Sequence, residues 1–320
     1  MKVFVTGAAG FIGSHTTEAL LDRGYEVVGL DNFNDYYDPA QKRRNQIALA
    51  AHGRSENLSL HEGDLRDVDL LNTLFAQHRF DAIVHLAAMA GVRYSIEHPH
   101  LYFDVNLTGT LNLLELAKKH GNPNFVFAST SSAYGETDRI PFVEDDPSAK
   151  PRAPYPASKR AAELLGYTYH HLSGMDFTAL RFFTVYGPRN RPDMMAYKVA
   201  ESVFFGKQVP LFNGGQMWRD WTYVKDIVAG VVNATERRLG YEIVNIGRGE
   251  PVLLSEFVAK VEVQAGGKAT FADEPMPNAD VSRTYASIEK AQRLLAYEPT
   301  TSVDEGIAAF LEWFKATVVR

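Results

Sequence analysis

Gly7, Gly10 and Gly13 stand in the run Gly-Ala-Ala-Gly-Phe-Ile-Gly. The short apolar stretch Val3 to Thr6 precedes it, and a segment with helical spacing, Phe11 to Arg23, follows and stops at Gly24. A strand that turns through such a loop into a helix presents backbone N–H groups at the helix N-terminus, a site suited to a pyrophosphate. The spacing is GxxGxxG, one residue wider in its first gap than the commoner GxGxxG, and a glycine triplet alone is weak evidence. Its context makes it specific. A second apolar run, Glu26 to Leu30, ends at Asp31, 18 residues beyond Gly13. A carboxylate there accepts from both hydroxyls of an adenosine ribose and repels a 2′-phosphate, which points to NAD rather than NADP.

Further short apolar runs, Leu58 to His61, Ala82 to Leu86 and Phe125 to Ala128, alternate with helical segments near 39–51, 67–78, 99–120 and 157–172. Repeated βα units predict an α/β fold, a doubly wound parallel sheet of Rossmann type. After about residue 185 glycine, proline and asparagine become denser, with helices expected near 193–206, 225–238, 255–265, 286–295 and 303–317. This reads as a smaller C-terminal part over the sheet's carboxyl edge. Phe177 to Phe183 and Ile243 to Ile246 read as extra strands of the large sheet, so the two parts interleave. The expected division is a NAD-binding domain over 1–185, joined by segments near 215–248, and a mainly substrate-binding domain over 186–320.

A length of 320 residues gives about two domain-lengths. Lys plus Arg is 33 against 39 for Asp plus Glu, a formal charge of −6, which disfavours nucleic acid as a partner. The absence of cysteine excludes disulfides, thiolate metal sites and cysteine nucleophiles, and no metal is expected. No apolar run approaches the ~18 residues of a membrane span. The chain opens on Met-Lys-Val-Phe-Val-Thr-Gly with no signal peptide before it, and a cytoplasmic protein is expected.

Tyr155 and Lys159 lie four apart at the start of a helical stretch, on one helical face. An ammonium beside a phenol favours the phenolate, so the pair is expected to lower the tyrosine pKa from ~10 and make a general base. Thr130, Ser131 and Ser132 follow the fifth strand, and a Thr130 hydroxyl there would bridge a substrate and Tyr155. Asp64 reads either as a contact to an adenine amino group or as the N-cap of the next helix. His85 reads as a packed strand residue. Leu86, Ala87 and Ala88 end the fourth strand in residues small enough for a cofactor to approach the backbone.

These pieces, with LDNFNDYYDP, VHLAAMAGVRYS, LRFFTVYGPRNRPDM, WRDWTYVKDI and NIGRG, span residues 5 to 287 and resemble the extended short-chain dehydrogenase/reductases. Within them the chain is most similar to nucleotide-sugar 4-epimerases acting on UDP-glucuronate. Thr130 stands where many relatives have serine, which keeps a hydroxyl. The resemblance implies bound NAD that is recycled, Tyr155 as base, and Lys159 and Thr130 as its helpers. The expected cofactor contacts are Gly7, Gly10, Phe11, Ile12, Gly13, Asp31, Asn32, Asp64, Leu65, Leu86, Ala87, Ala88, Asn106, Tyr155 and Lys159. Arg219 and Arg283 would hold the nucleotide, and backbone around Val209 to Phe212, with Val209 and Leu211 named as contacts, would face the uracil. Helices 99–120 and 157–172 carry Leu107, Leu111, Leu114, Leu164 and Leu165, and relatives pair two such helices into a homodimer.

A 4-keto uronate is a β-keto acid that loses CO2 when its carboxylate bond aligns with the carbonyl π-system, so an epimerase must hold that carboxylate aside. The candidates are Thr184, Arg191 and the hydroxyls of Thr130 to Ser132, with Arg93 as a second anion contact. Relatives that eliminate water or CO2 carry an acid just after the position of Thr130, where this chain has Ser131 and Ser132. The alternatives are a 4-epimerase of UDP-glucose or a UDP-N-acetylhexosamine and, from another class, a non-catalytic NAD sensor lacking a base.

Overall fold

The computed structural model describes residues 1–147 and 150–319. The chain opens with β1 (Lys2–Thr6), α1 (Phe11–Asp22), β2 (Glu26–Asp31), α2 (Pro39–Ala50), β3 (Leu58–Glu62), α3 (Val68–Gln77) and β4 (Ala82–His85). There follow α4 (Val92–Glu97), α5 (Pro99–Phe103), α6 (Gly109–Lys119), β5 (Asn124–Thr130), α7 (Pro154–Ser173), β6 (Phe177–Phe182) and β7 (Thr184–Tyr186). The rest comprises α8 (Met195–Phe205), β8 (Val209–Phe212), β9 (Trp218–Tyr223), α9 (Val224–Thr235), β10 (Tyr241–Ile246), β11 (Pro251–Leu253), α10 (Leu254–Ala265), β12 (Phe271–Glu274), α11 (Glu289–Leu295) and α12 (Val303–Thr317).

Among the described residues the large sheet has seven strands in the order β3-β2-β1-β4-β5-β6-β10. All its pairings are parallel. Parallel strands need helical crossovers, so helices cover both faces and the strands bury both sets of side chains. Alternate residues accordingly enter opposite cores. Val3, Val5, Val84 and Val126 join one cluster, and Phe4, Ile83, Phe125 and Phe127 join the other. The strand order reverses between β1 and β4, and a crevice opens at their carboxyl ends, where ligands of such sheets bind. Both later segments expected in the sheet are there: β6 pairs with β5, and β10 pairs with β6. α9 packs against α1.

Several boundaries depart from the sequence expectation. The stretch 99–120 is not one helix: a π-helical turn, Asp104–Thr108, separates α5 from α6. Asn106 lies in that turn, and its carboxamide makes two hydrogen bonds with the backbone of Met89. α7 begins at Pro154 in its first turn, so Tyr155 sits at the very start of the helix. Ala286 is not helical and bridges to Phe142. β6 stops at Phe182, and the chain turns into a second sheet, β11-β9-β7, that periodicity did not reveal.

Two features fix the carboxyl edge. At the β1–α1 turn Gly7 has φ +70°, and a Cβ on it would meet the Ala87 nitrogen at 2.8 Å, while one on Gly13 would overlap the Gly7 carbonyl. The turn, the first turn of α1 and the loop after β4 therefore touch with no room for a methyl group. Beneath α7, the fully buried Glu163 accepts from Arg181 Nε (2.9 Å) and Nη2 (2.8 Å), Arg160 Nη1 (2.7 Å) and Ser129 Oγ (2.6 Å). Every oxygen of the carboxylate is matched, as burial of a charge requires.

Candidate active site

Two clefts meet at the carboxyl edge. The first, about 1100 Å³, is lined by Gly7, Gly10, Phe11, Ile12, Gly13, Asp31, Asn32, Asp64, Leu65, Leu86, Ala87, Ala88, Tyr155 and Lys159, among others. Asn106, expected among these contacts, does not line it. Its amide fixes the Met89 backbone and donates to Ser158 Oγ at 3.0 Å, so it shapes the loop that does. No side chain caps the N-terminus of α1 at Gly10, and its first turn carries no acid. An open helix N-terminus on a floor of glycine fits a dinucleotide pyrophosphate.

Asp31 closes the far end. One oxygen accepts from Ala9 N (3.1 Å), and the other from Phe33 N (2.9 Å) and Lys42 Nζ (3.4 Å). Lys42 also lines the cleft, a neighbour that sequence spacing did not flag. Asp64 accepts from Asn32 Nδ2 and from Arg66 N, Nε and Nη2. Those Arg66 bonds above all bring its carboxyl down to about 2. The N-cap of α3 is Asp67, so the helix-cap alternative for Asp64 falls away. His85 sits fully buried between Thr6 Oγ1 (2.7 Å) and Thr110 Oγ1 (3.0 Å), a packed strand residue.

The second cleft, about 1760 Å³, runs under the C-terminal part. Arg93, Thr130, Ser131, Ser132, Tyr155, Thr184, Arg191 and Arg219 all face it. Tyr155 and Arg191 border both clefts. On β8 the side chains of Pro210 and Phe212 line the wall, while Val209 is buried and Leu211 packs against the core. Arg283 is exposed outside the cleft, its guanidinium over the Trp218 and Tyr285 rings. Sequence reasoning also missed Lys198, Asp193 and Asp280, which line the cleft. The cations Arg93, Arg191, Lys198 and Arg219 outnumber those two carboxylates, so the cleft carries the charge that a pyrophosphate needs. Arg93 pairs with Asp280 at 2.9 Å and stacks over Phe212.

At the junction the Thr130 hydroxyl lies beside the Tyr155 phenol. Lys159 Nζ donates to the Ala128 carbonyl at 2.8 Å. The expected lowering of the phenol pKa by this lysine is not what the surroundings produce. Burial pushes the Tyr155 phenol up, and the groups that pull it back are the Arg191 guanidinium and the Thr130 hydroxyl. Lys159 itself is pulled down to about 7 by burial, with Glu163 working against the fall. A residue that loses water pays more to carry charge, and here the lysine loses as much water as the tyrosine.

A buried lysine whose folded pKa lies near 7 binds fewer protons than in the unfolded chain at higher pH. The folded state therefore gains stability as pH rises from about 7 towards the unfolded lysine value near ~10.4. Lys159→Met removes this term and, at every pH alike, the hydrogen bond to Ala128. The mutant's stability relative to the parent is expected to be highest below pH 7 and to decline steadily towards pH 10. Urea titrations across that range check the slope; a flat difference contradicts it.

A family model described as GDP-mannose 4,6 dehydratase matches residues 4–310. A UDP-glucuronate 4-epimerase of Thermodesulfobacterium geofontis is 43% identical over 98% of this chain and 96% of its own length. Among solved structures, a UDP-glucuronic acid 4-epimerase from Bacillus cereus in complex with UDP-glucuronic acid and NAD superposes with a TM-score of 0.91 at 35% identity, covering 99% of each chain. A UDP-glucose 4-epimerase from Thermotoga maritima with UDP-glucose superposes at 0.90 and 30% identity, covering 99% of this chain and 100% of that one. No helix among the described residues is long and apolar enough to cross a membrane. Matched along nearly its whole length in sequence and in fold, the chain belongs to the GDP-mannose 4,6 dehydratase family of extended short-chain dehydrogenase/reductases.

Proposed function

We propose that the chain is an NAD-dependent 4-epimerase that interconverts UDP-glucuronate and UDP-galacturonate. The observation that carries this reading is the meeting of Tyr155, Thr130 and Lys159 where a dinucleotide-shaped cleft opens into a cation-lined one. The part over 1–185, with segments near 215–248, would hold NAD, and 186–320 mainly the UDP-sugar. The glycine turn and the α1 N-terminus would take the NAD pyrophosphate, Asp31 the adenosine ribose, and Asp64 with Leu65 the adenine side. When bound, NAD supplies the acceptor and then the donor of the C4 hydride.

Tyr155, as the phenolate, takes the proton of the sugar 4-hydroxyl as hydride leaves C4, and returns that proton to O4 when hydride comes back to the other face of C4. Arg191 and the Thr130 hydroxyl favour the phenolate that must be present before the proton is taken. Lys159 lies one helical turn on, and its ammonium becomes easier to hold once an anion forms beside it. Arg219 and Arg93 hold the UDP, while the hexose turns between two orientations. Thr184 and Arg191 take the carboxylate and keep its C5 bond out of line with the C4 carbonyl, which prevents loss of CO2. The family takes its description from a dehydratase, but elimination needs an acid for the leaving hydroxyl. The positions after Thr130 are Ser131 and Ser132, neither of which is one.

We also propose a homodimer through α6 and α7. Leu114 of the expected stripe is buried in the core, but Leu111, Leu164, Tyr167 and Leu172 remain exposed on these helices. A solution mass of twice the chain is expected, and a single-chain mass contradicts the proposal.

The purified protein is incubated with UDP-glucuronate and NAD, and the sugar is followed by proton NMR. UDP-galacturonate is expected, and in Tyr155→Phe its rate of formation falls by about 10³, within the range that general acid–base catalysis supplies. UDP-xylose as the product, or turnover of UDP-glucose alone, contradicts the reading.

A further inference from the structure

The Arg191 guanidinium does not stand free in the cleft. Its Nε and Nη2 donate to Asp193 Oδ1 and Oδ2, each at 2.8 Å. The Nη2 group also approaches Met194 Sδ at 3.7 Å. Asp193 accepts a further bond from the Tyr36 hydroxyl at 3.2 Å. Tyr36 belongs to the loop between β2 and α2, and Asp193 to the segment before α8, so this contact ties one cleft's loop to the other's. Tyr36 is itself held in place, edge-on to Tyr94 and against Gly91, where a Cβ would overlap its hydroxyl. Asp193 therefore has little freedom to leave.

A guanidinium is a planar fork of five N–H donors, and an unpaired one grips a carboxylate by two parallel bonds. Here Asp193 closes the Nε/Nη2 edge, the other Nη2–H is turned to Met194 Sδ, and Nη1 is the nitrogen that remains. The chemistry makes a demand that such a grip would defeat. To receive hydride on the opposite face of C4, the hexose must turn over, and its carboxylate must move with it. A two-point clamp favours one orientation and resists the turn.

We propose that Asp193 is a positioning residue for the sugar carboxylate. It presents Arg191 by the Nη1 edge and offsets its charge, so that the carboxylate is held weakly enough for the hexose to reorient. This rests on the epimerase reading above. Asp193 would thereby divide the role of Arg191, which recognises a uronate without trapping it.

The test is Asp193→Asn, which keeps the size of the side chain and one acceptor but removes the charge. Binding of UDP-glucuronate and UDP-glucose is measured by calorimetry, together with kcat and KM for UDP-glucuronate. Expected is about tenfold tighter binding of UDP-glucuronate, the worth of one charge-assisted hydrogen bond, with UDP-glucose affinity unmoved. With it, kcat falls about tenfold as KM falls, the signature of a ground state held too well. Asp193→Glu, which keeps the charge, should return both constants towards those of the parent. Equal weakening of both sugars, or unchanged UDP-glucuronate binding, overturns the proposal. Should Asp193→Asn fail to fold, Tyr36→Phe loosens the same carboxylate and is expected to shift UDP-glucuronate binding in the same direction by a smaller factor; no shift overturns it. The binding arm is read even where the parent turns over no UDP-glucuronate, a result that defeats the epimerase reading on its own.

Discussion

Glu163 binds together the three elements that must agree if the site is to exist. It lies on α7 one turn beyond Lys159, takes both arms of Arg181 from β6, and takes the hydroxyl of Ser129 from β5. Ser129 is next to Thr130, so the carboxylate sets the distance between the helix bearing Tyr155 and the strand bearing Thr130. An apolar contact of equal volume would be as stable or more so. It would not set which turn of the helix faces which strand residue. Removing the carboxylate would strand a buried guanidinium, a change that typically costs about 3–5 kcal/mol.

The electrostatics of the site follow from its dryness. Burial pushes the Tyr155 phenol up and the Lys159 amine down, so both resist charge at rest. The phenol then gives up its proton to become a base only where the surroundings compensate, and the compensating groups are the Arg191 guanidinium and Thr130. Arg191 reaches the phenol through space, yet its own bonds go to Asp193. One cation thus serves the base and the sugar carboxylate without belonging wholly to either.

The features legible in sequence were those written in short-range patterns. The glycine turn, Asp31 at the end of β2, and Tyr155 with Lys159 at helical spacing each fall within one or two elements, where periodicity and turn chemistry decide the outcome. What stayed hidden was long-range or a matter of parity. Nothing local says that Arg181 and Glu163 meet, or that Tyr36 reaches Asp193 across 157 positions. On β8 the side chains at the cleft are Pro210 and Phe212, and an isolated four-residue run does not show which of its faces that is. The π-turn at Asp104–Thr108 carries a tertiary contact, Asn106 to Met89, that helical spacing does not show. The direction of the Tyr155 shift was misread for a related reason: spacing shows a neighbouring cation but not the loss of water around both groups.

The epimerase reading requires one site to remove hydrogen from C4 and return it to the other face while the sugar keeps its carboxylate. UDP-glucuronate carrying deuterium at C4 tests this most directly, with the product's sugar and the solvent both examined for label after partial conversion. The expected product is UDP-galacturonate with deuterium retained at C4 and none in the water. Label in the solvent, or a UDP-pentose formed with release of CO2, would contradict it.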